Sequence, residues 1–162
     1  MQNQTYSLIT ESKKSDLTAL FEKWFEQIRH EYVALLIDCG GDTSSLRWYV
    51  RIKGQVREAI TVWFFLNQRS LFVETQFMPA PEVNIEKCLS YLLVKNNSLK
   101  QMHFSIGFEN AIYLVGSIPA NLITIEALDE MRGVAYQYVE DYFAVAMAIG
   151  YEGKYRYSRS GK

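Results

Sequence analysis

Leu17, Leu20, Phe21, Trp24 and Ile28 recur at i, i+3, i+4, i+7 and i+11, which is the spacing of one face of a helix. Ser15 suits an N-cap and Asp16 the positive end of the helix dipole, so this helix is predicted over residues 15–30. Residues 32–37 form a continuous apolar run stopped by Gly40, Gly41 and Asp42. The run reads as a buried strand or a last helical turn, with the strand favoured. Leu46, Trp48, Val50 and Ile52 then alternate with Arg47, Tyr49, Arg51 and Lys53, the period-2 pattern of a strand with one dry and one wet face. In residues 60–66, Trp63 and Phe65 make the second face apolar too, which predicts a strand covered on both sides. After a turn at 67–70, Leu71, Val73, Thr75 and Phe77 alternate with Phe72, Glu74 and Gln76, so the three segments read as a meander.

Pro79 and Pro81 end that meander, because proline cannot donate to a sheet but fits the first turn of a helix. Ile85, Cys88, Leu89, Leu92 and Leu93 match the helical template, and Asn96 and Asn97 suit its exit. Met102, Phe104, Ile106 and Phe108 alternate, Glu109 and Asn110 turn the chain, and Ile112, Leu114 and Ile118 resume the alternation as a second hairpin. Thr124 caps a final helix whose stripe is Ile125, Leu128, Met131, Ala135, Val139, Tyr142, Ala146 and Ile149, with Gly150 at its stop. The order is α-β-β-β-α-β-β-α, with a possible fourth strand at 32–37. It predicts an α+β fold in which helices pack on a mostly antiparallel sheet.

One domain is predicted over residues 1–150, followed by a basic, tyrosine-rich tail at 151–162 with no periodic pattern and no expected order. Seventeen basic residues against eighteen acidic ones leave a net charge of −1, which gives the chain no overall field to attract a polyanion. Cys39 and Cys88 lack metal-ligand spacing and do not suggest a disulfide framework. No stretch approaches the ~20 apolar residues of a bilayer span, and residues 1–14 lack the pattern of a secretory leader, so a cytoplasmic protein is expected.

The residues offer little chemistry. His30 and His103 are the only histidines and have no convergent partners in the pattern, so no metal site or triad is expected. Cys39 before Gly40-Gly41 could be an exposed thiol in a turn, but no base is assigned to it. The glycines form no phosphate cradle, and no cofactor is implied. Arg47, Arg51 and Lys53 beside Tyr49, together with the tail, give a minor RNA- or DNA-binding alternative, and a small-ligand or enzymatic site around Cys39 or His103 is another. The apolar end of the last helix says more, because Phe143, Val145 and Met147 lie off its main stripe. Such a helix sinks into its own core, meets a second copy, or forms a groove for a client. Trp63, Phe65, Tyr142, Phe143 and Met147 are therefore the candidate contacts with a protein partner.

Four groups of residues carry a resemblance: Pro79-Ala80-Pro81, Leu92-Leu93 through Asn96, Ile112-Tyr113-Leu114-Val115-Gly116, and Leu128-Asp129 with Gly133. In these the chain resembles the YbjN-type family of bacterial sensory transduction regulators over residues 46–152, departing from the pattern at 121–123 and in the tail. The resemblance implies a fold similar to type III secretion chaperones, frequent homodimers, and no catalytic residues to carry over. The combined expectation is a non-enzymatic protein-binding or regulatory module.

Overall fold

The computed structural model describes residues 9–152. Helix α1 (Glu11–Glu31) starts four residues earlier than the pattern predicts, because the Thr10 hydroxyl accepts from the Lys13 N–H at 3.3 Å and Ser15 lies inside the helix. The apolar run at 32–37 divides, with Tyr32 capping α1 and strand β1 (Leu36–Asp42) beginning after a turn. Gly40 and Gly41 belong to that strand and do not stop it. A Cβ on Gly41 would stand 2.1 Å from Cδ1 of the buried Trp48 indole, so this strand position requires glycine.

Strands β2 (Arg47–Lys53), β3 (Ala59–Leu66) and β4 (Ser70–Met78) form the predicted meander. Helix α2 (Ile85–Asn96) follows, then β5 (Met102–Ile106) and β6 (Ile112–Pro119), and finally α3 (Ile125–Gly150). Phe108 does not extend β5. It lies in the connecting turn, where Glu109 and Asn110 adopt positive φ, and is 77% exposed. The six strands run in the order β1-β2-β3-β4-β6-β5, each pair antiparallel.

All three helices lie on one face of the sheet. From α1, Phe21 stacks on Trp48 at 4.2 Å and meets Phe64 edge-on at 5.6 Å. From α3, Phe143 meets Phe77 edge-on at 5.9 Å, while the Cys88 thiol of α2 lies 3.6 Å from the Ala146 carbonyl. The buried side chains of the sheet, Trp48, Val50, Ile60, Val62, Phe64, Leu71, Val73, Phe77 and Leu114, point at this layer. α1 is tied to α3 by the Trp24 indole N–H, which donates to Asp129 at 3.3 Å, and Arg132 pairs with the same carboxylate at 3.0 Å. The end of α3 comes close enough to the Pro79–Pro81 segment that a Cβ on Gly150 would stand 2.9 Å from Pro81. The Gly150 carbonyl accepts from the backbone N–H groups of Glu82 and Val83.

With every helix on one side, β3 is covered on one face only. Ile60, Val62 and Phe64 are buried, whereas Trp63 and Phe65 are half-exposed on the open face. The expectation of cover on both sides fails because the apolar residues of the second face pack against each other and against an arginine, with no layer above them.

Candidate partner-binding surfaces

The five candidate contacts do not form one surface. Phe143 is only 7% exposed, held against Phe77 with the Arg57 guanidinium 5.5 Å above its ring, and is a core residue. Tyr142 is half-buried, edge-on to Phe104 at 6.1 Å with the Lys95 ammonium 5.6 Å over its ring, and Met147 packs partly buried against the core. The sheet separates these three from Trp63 and Phe65. The greasy end of α3 thus turns mainly inward, with Val145 left at the surface.

On the open face, strand register sets the neighbours. Gly40, Tyr49, Trp63, Glu74, Val115 and His103 lie in one row across the six strands, and Asp42, Arg47, Phe65, Phe72 and Ser117 lie in the next. Tyr49 packs on Trp63 at 5.1 Å, Trp63 on Phe65 at 6.3 Å, and Phe65 on Phe72 at 6.3 Å. The Arg47 guanidinium lies 5.1 Å from the Trp63 centroid and 4.6 Å from that of Phe65, a double cation–π contact. The Tyr49 hydroxyl donates to Asp38 at 2.6 Å, a bond that pushes the phenol's own ionisation upward. Beside Trp63 a hollow of about 280 Å³ is lined by Arg57, Thr61, Glu74, Gln76 and Tyr113. Partial burial raises the Glu74 carboxyl above its ordinary range, against the opposing field of Arg47.

A second surface lies at the other edge of the sheet. Leu89, Leu92 and Leu93 of α2 face Phe104, Ser105 and Ile106 of β5 and Ile112 of β6 across an almost wholly apolar groove of about 280 Å³. Leu93 is 65% and Ile106 56% exposed, and Ile85 and Val94 add further exposed aliphatic surface to α2. The periodic stripe of α2 is thus only half buried: Cys88 and Leu92 go into the core, while Ile85 and Leu93 overhang the sheet edge. The Asn96 carboxamide accepts from the Phe104 N–H at 2.7 Å and donates to the Phe104 carbonyl at 3.2 Å. It covers the free backbone edge of β5 as a neighbouring strand would.

Cys39 is buried in β1, and burial raises its thiol despite the nearby Arg29, opposite to the shift of an activated nucleophile. Burial likewise raises Cys88, and both cysteines are free. His30 and His103 are exposed on different elements. Among the described residues, no cluster of three or more His, Cys, Asp or Glu could hold a metal ion, and no helix is long and apolar enough to cross a membrane. The basic tail beyond Glu152 lies outside the described residues.

No family model matches the sequence, and no curated protein matches it. The fold, however, is similar to that of a chain in the solved HopA1–SchA chaperone–effector complex, with a TM-score of 0.60 at 9% sequence identity, over 83% of this chain and 98% of that one. The architecture is therefore a type III secretion chaperone-like α+β fold.

Proposed function

We propose that this chain is a non-enzymatic protein-binding module, a chaperone-like protein that works as a homodimer and holds an apolar segment of a partner polypeptide in the groove between α2 and β5. The observation that carries the reading is the groove itself: a nearly all-apolar trough whose rim residues, Leu93 and Ile106, keep most of their surface in water. Because Asn96 occupies the backbone edge of β5 at Phe104, the partner docks through side chains, as an amphipathic helix does in a groove, and adds no strand to the sheet there. Similarity of fold to a chain from a chaperone–effector complex supports the same reading. The YbjN-type resemblance of residues 46–152 and a cytoplasmic location belong to this proposal.

A photo-cross-linking amino acid at Leu93, expressed in the native cells, tests it. A discrete protein adduct is expected at this position and not at Lys87, an exposed residue of the same helix outside the groove. No adduct at Leu93, or equal labelling at both positions, would count against the proposal.

A further inference from the structure

The open face of the sheet presents four half-exposed rings, Tyr49, Trp63, Phe65 and Phe72, in contact with one another, and no helix lies over them. Charge on this face is mixed: the register places Asp38, Asp42, Arg47, Arg51 and Lys53 on the β1–β2 side of the Trp63–Phe65 strip of β3, which leaves that side net positive, and Glu74 on the β4 side, where Arg57 lines the hollow beside it. Arg47 stands on the β2 side, directly opposite Phe65, and Glu74 on the β4 side, directly opposite Trp63. Within one chain the two are not within ion-pair distance, and the Arg47 guanidinium stands over the Trp63 and Phe65 rings. A surface with opposite charges on either side of an aromatic strip is complementary to itself under a two-fold rotation, the requirement of an isologous interface.

We propose that two copies of this chain pair through the open faces of their sheets, with Arg47 of each copy against Glu74 of its mate across interleaved rings of Tyr49, Trp63, Phe65 and Phe72. The two-fold axis lies in the plane between the faces and crosses the aromatic strip obliquely, so the Arg47–Glu74 contact forms twice. Each guanidinium keeps one face on its own Trp63 and Phe65 and turns its N–H edge to the mate's carboxylate. The whole face, six strands at ~4.8 Å spacing and ~20 Å of length, offers at most roughly 600 Å² per copy, or ~1,200 Å² in all, the lower end of specific interfaces. The dimer is accordingly one that dissociates on dilution. This pairing rests on the homodimer part of the proposed function and leaves the α2–β5 groove of each copy open to a partner, since the groove lies at the far edge of the sheet.

Sedimentation equilibrium of the full chain tests the pairing. A reversible monomer–dimer equilibrium is expected, with Arg47→Glu and Glu74→Arg each raising the dissociation constant about tenfold or more by setting like charges together. An equimolar mixture of the two variants regains the wild-type affinity, because a mixed dimer restores both opposite-charge contacts. A mixture no tighter than the separate variants overturns the proposal, as does a monomer at every concentration or a dimer indifferent to both substitutions. Iodide quenching needs no variant: Trp63 is half-exposed while Trp24 and Trp48 are buried, so quenching falls as concentration rises through the dimer range. Quenching that stays constant across that range rules the face out. Cross-linking at Leu93 reads the groove and not this face, so either proposal can fail alone.

Discussion

Leu92 and Leu93 are neighbours on α2 with opposite surroundings, so truncating each to alanine separates folding from binding. Alanine is a good helix former, and neither change disturbs the helix as such. Leu92 is 2% exposed, and deleting a leucine side chain from a packed core costs about 2–5 kcal/mol of stability. Full burial of a leucine is worth about 1.5–3 kcal/mol, and Leu93 keeps roughly two-thirds of its surface in water. Its truncation therefore costs the fold about 0.5–1 kcal/mol and a docked partner about 1–2 kcal/mol, or roughly 5–30-fold in affinity. Urea unfolding followed by far-ultraviolet circular dichroism measures the first quantity. Leu92→Ala shifts the midpoint strongly at constant slope, and Leu93→Ala shifts it little. If Leu93→Ala destabilised the fold as much as Leu92→Ala, the groove would be closed in solution and the reasoning would fail.

Gly133 sits in the middle of α3 with nothing within 4 Å of a Cβ added to it, so Gly133→Ala should stabilise the fold by about 0.5–1 kcal/mol in calorimetry; a lower melting temperature would contradict the helix as described. Glu140 accepts from the Gln55 and Val56 N–H groups at 2.8 and 3.2 Å and pins the β2–β3 connection to α3. Glu140→Ala should cost about 1–3 kcal/mol and speed amide exchange at 55 and 56; unchanged exchange there would sink the point. The Asp42 carboxyl is lowered from 3.8 to about 2, chiefly by the Ser44 hydroxyl at 2.6 Å. A depressed folded-state value means that its contribution to stability is present above the ordinary range and is lost as pH falls through about 2. Carbon-detected NMR titration should find that low midpoint, and Ser44→Ala should move it upward; an ordinary midpoint in the wild-type chain would refute the bond.

What the sequence made legible follows the range of the interactions involved. Thr124 caps α3 as read from the sequence, its hydroxyl accepting from the Ala127 N–H at 3.1 Å, because capping and the i, i+3, i+4 stripe are local. The alternation of β2 and β4 is local too: it placed Arg47 and Tyr49 on the wet side of β2 and set Leu71, Val73, Thr75 and Phe77 apart from Phe72, Glu74 and Gln76 in β4, the division the burial follows. Whether a second layer covers β3 depends on where three distant helices settle, and periodicity at Trp63 and Phe65 holds no such information. The Ile85–Leu93 stripe was visible, but its overhang of the sheet edge is a tertiary fact, so half of an expected core face became the rim of a groove. Thr10 and Ser15 both suit a cap, and the earlier one wins by extending α1 to 21 residues. Among the candidate contacts, Phe143 turns inward because an apolar position off the main stripe of a long helix can still face the core, here against Phe77 of β4 with the Arg57 guanidinium over its ring.

The most direct measurement is calorimetric titration of the partner segment captured at Leu93 into wild-type protein, Leu93→Asp and Glu74→Arg. The groove account requires saturable binding to wild-type and Glu74→Arg chains, with binding to Leu93→Asp abolished while its fold is retained, since a buried carboxylate has no partner in an apolar trough. Equal affinity for wild-type and Leu93→Asp protein would contradict it.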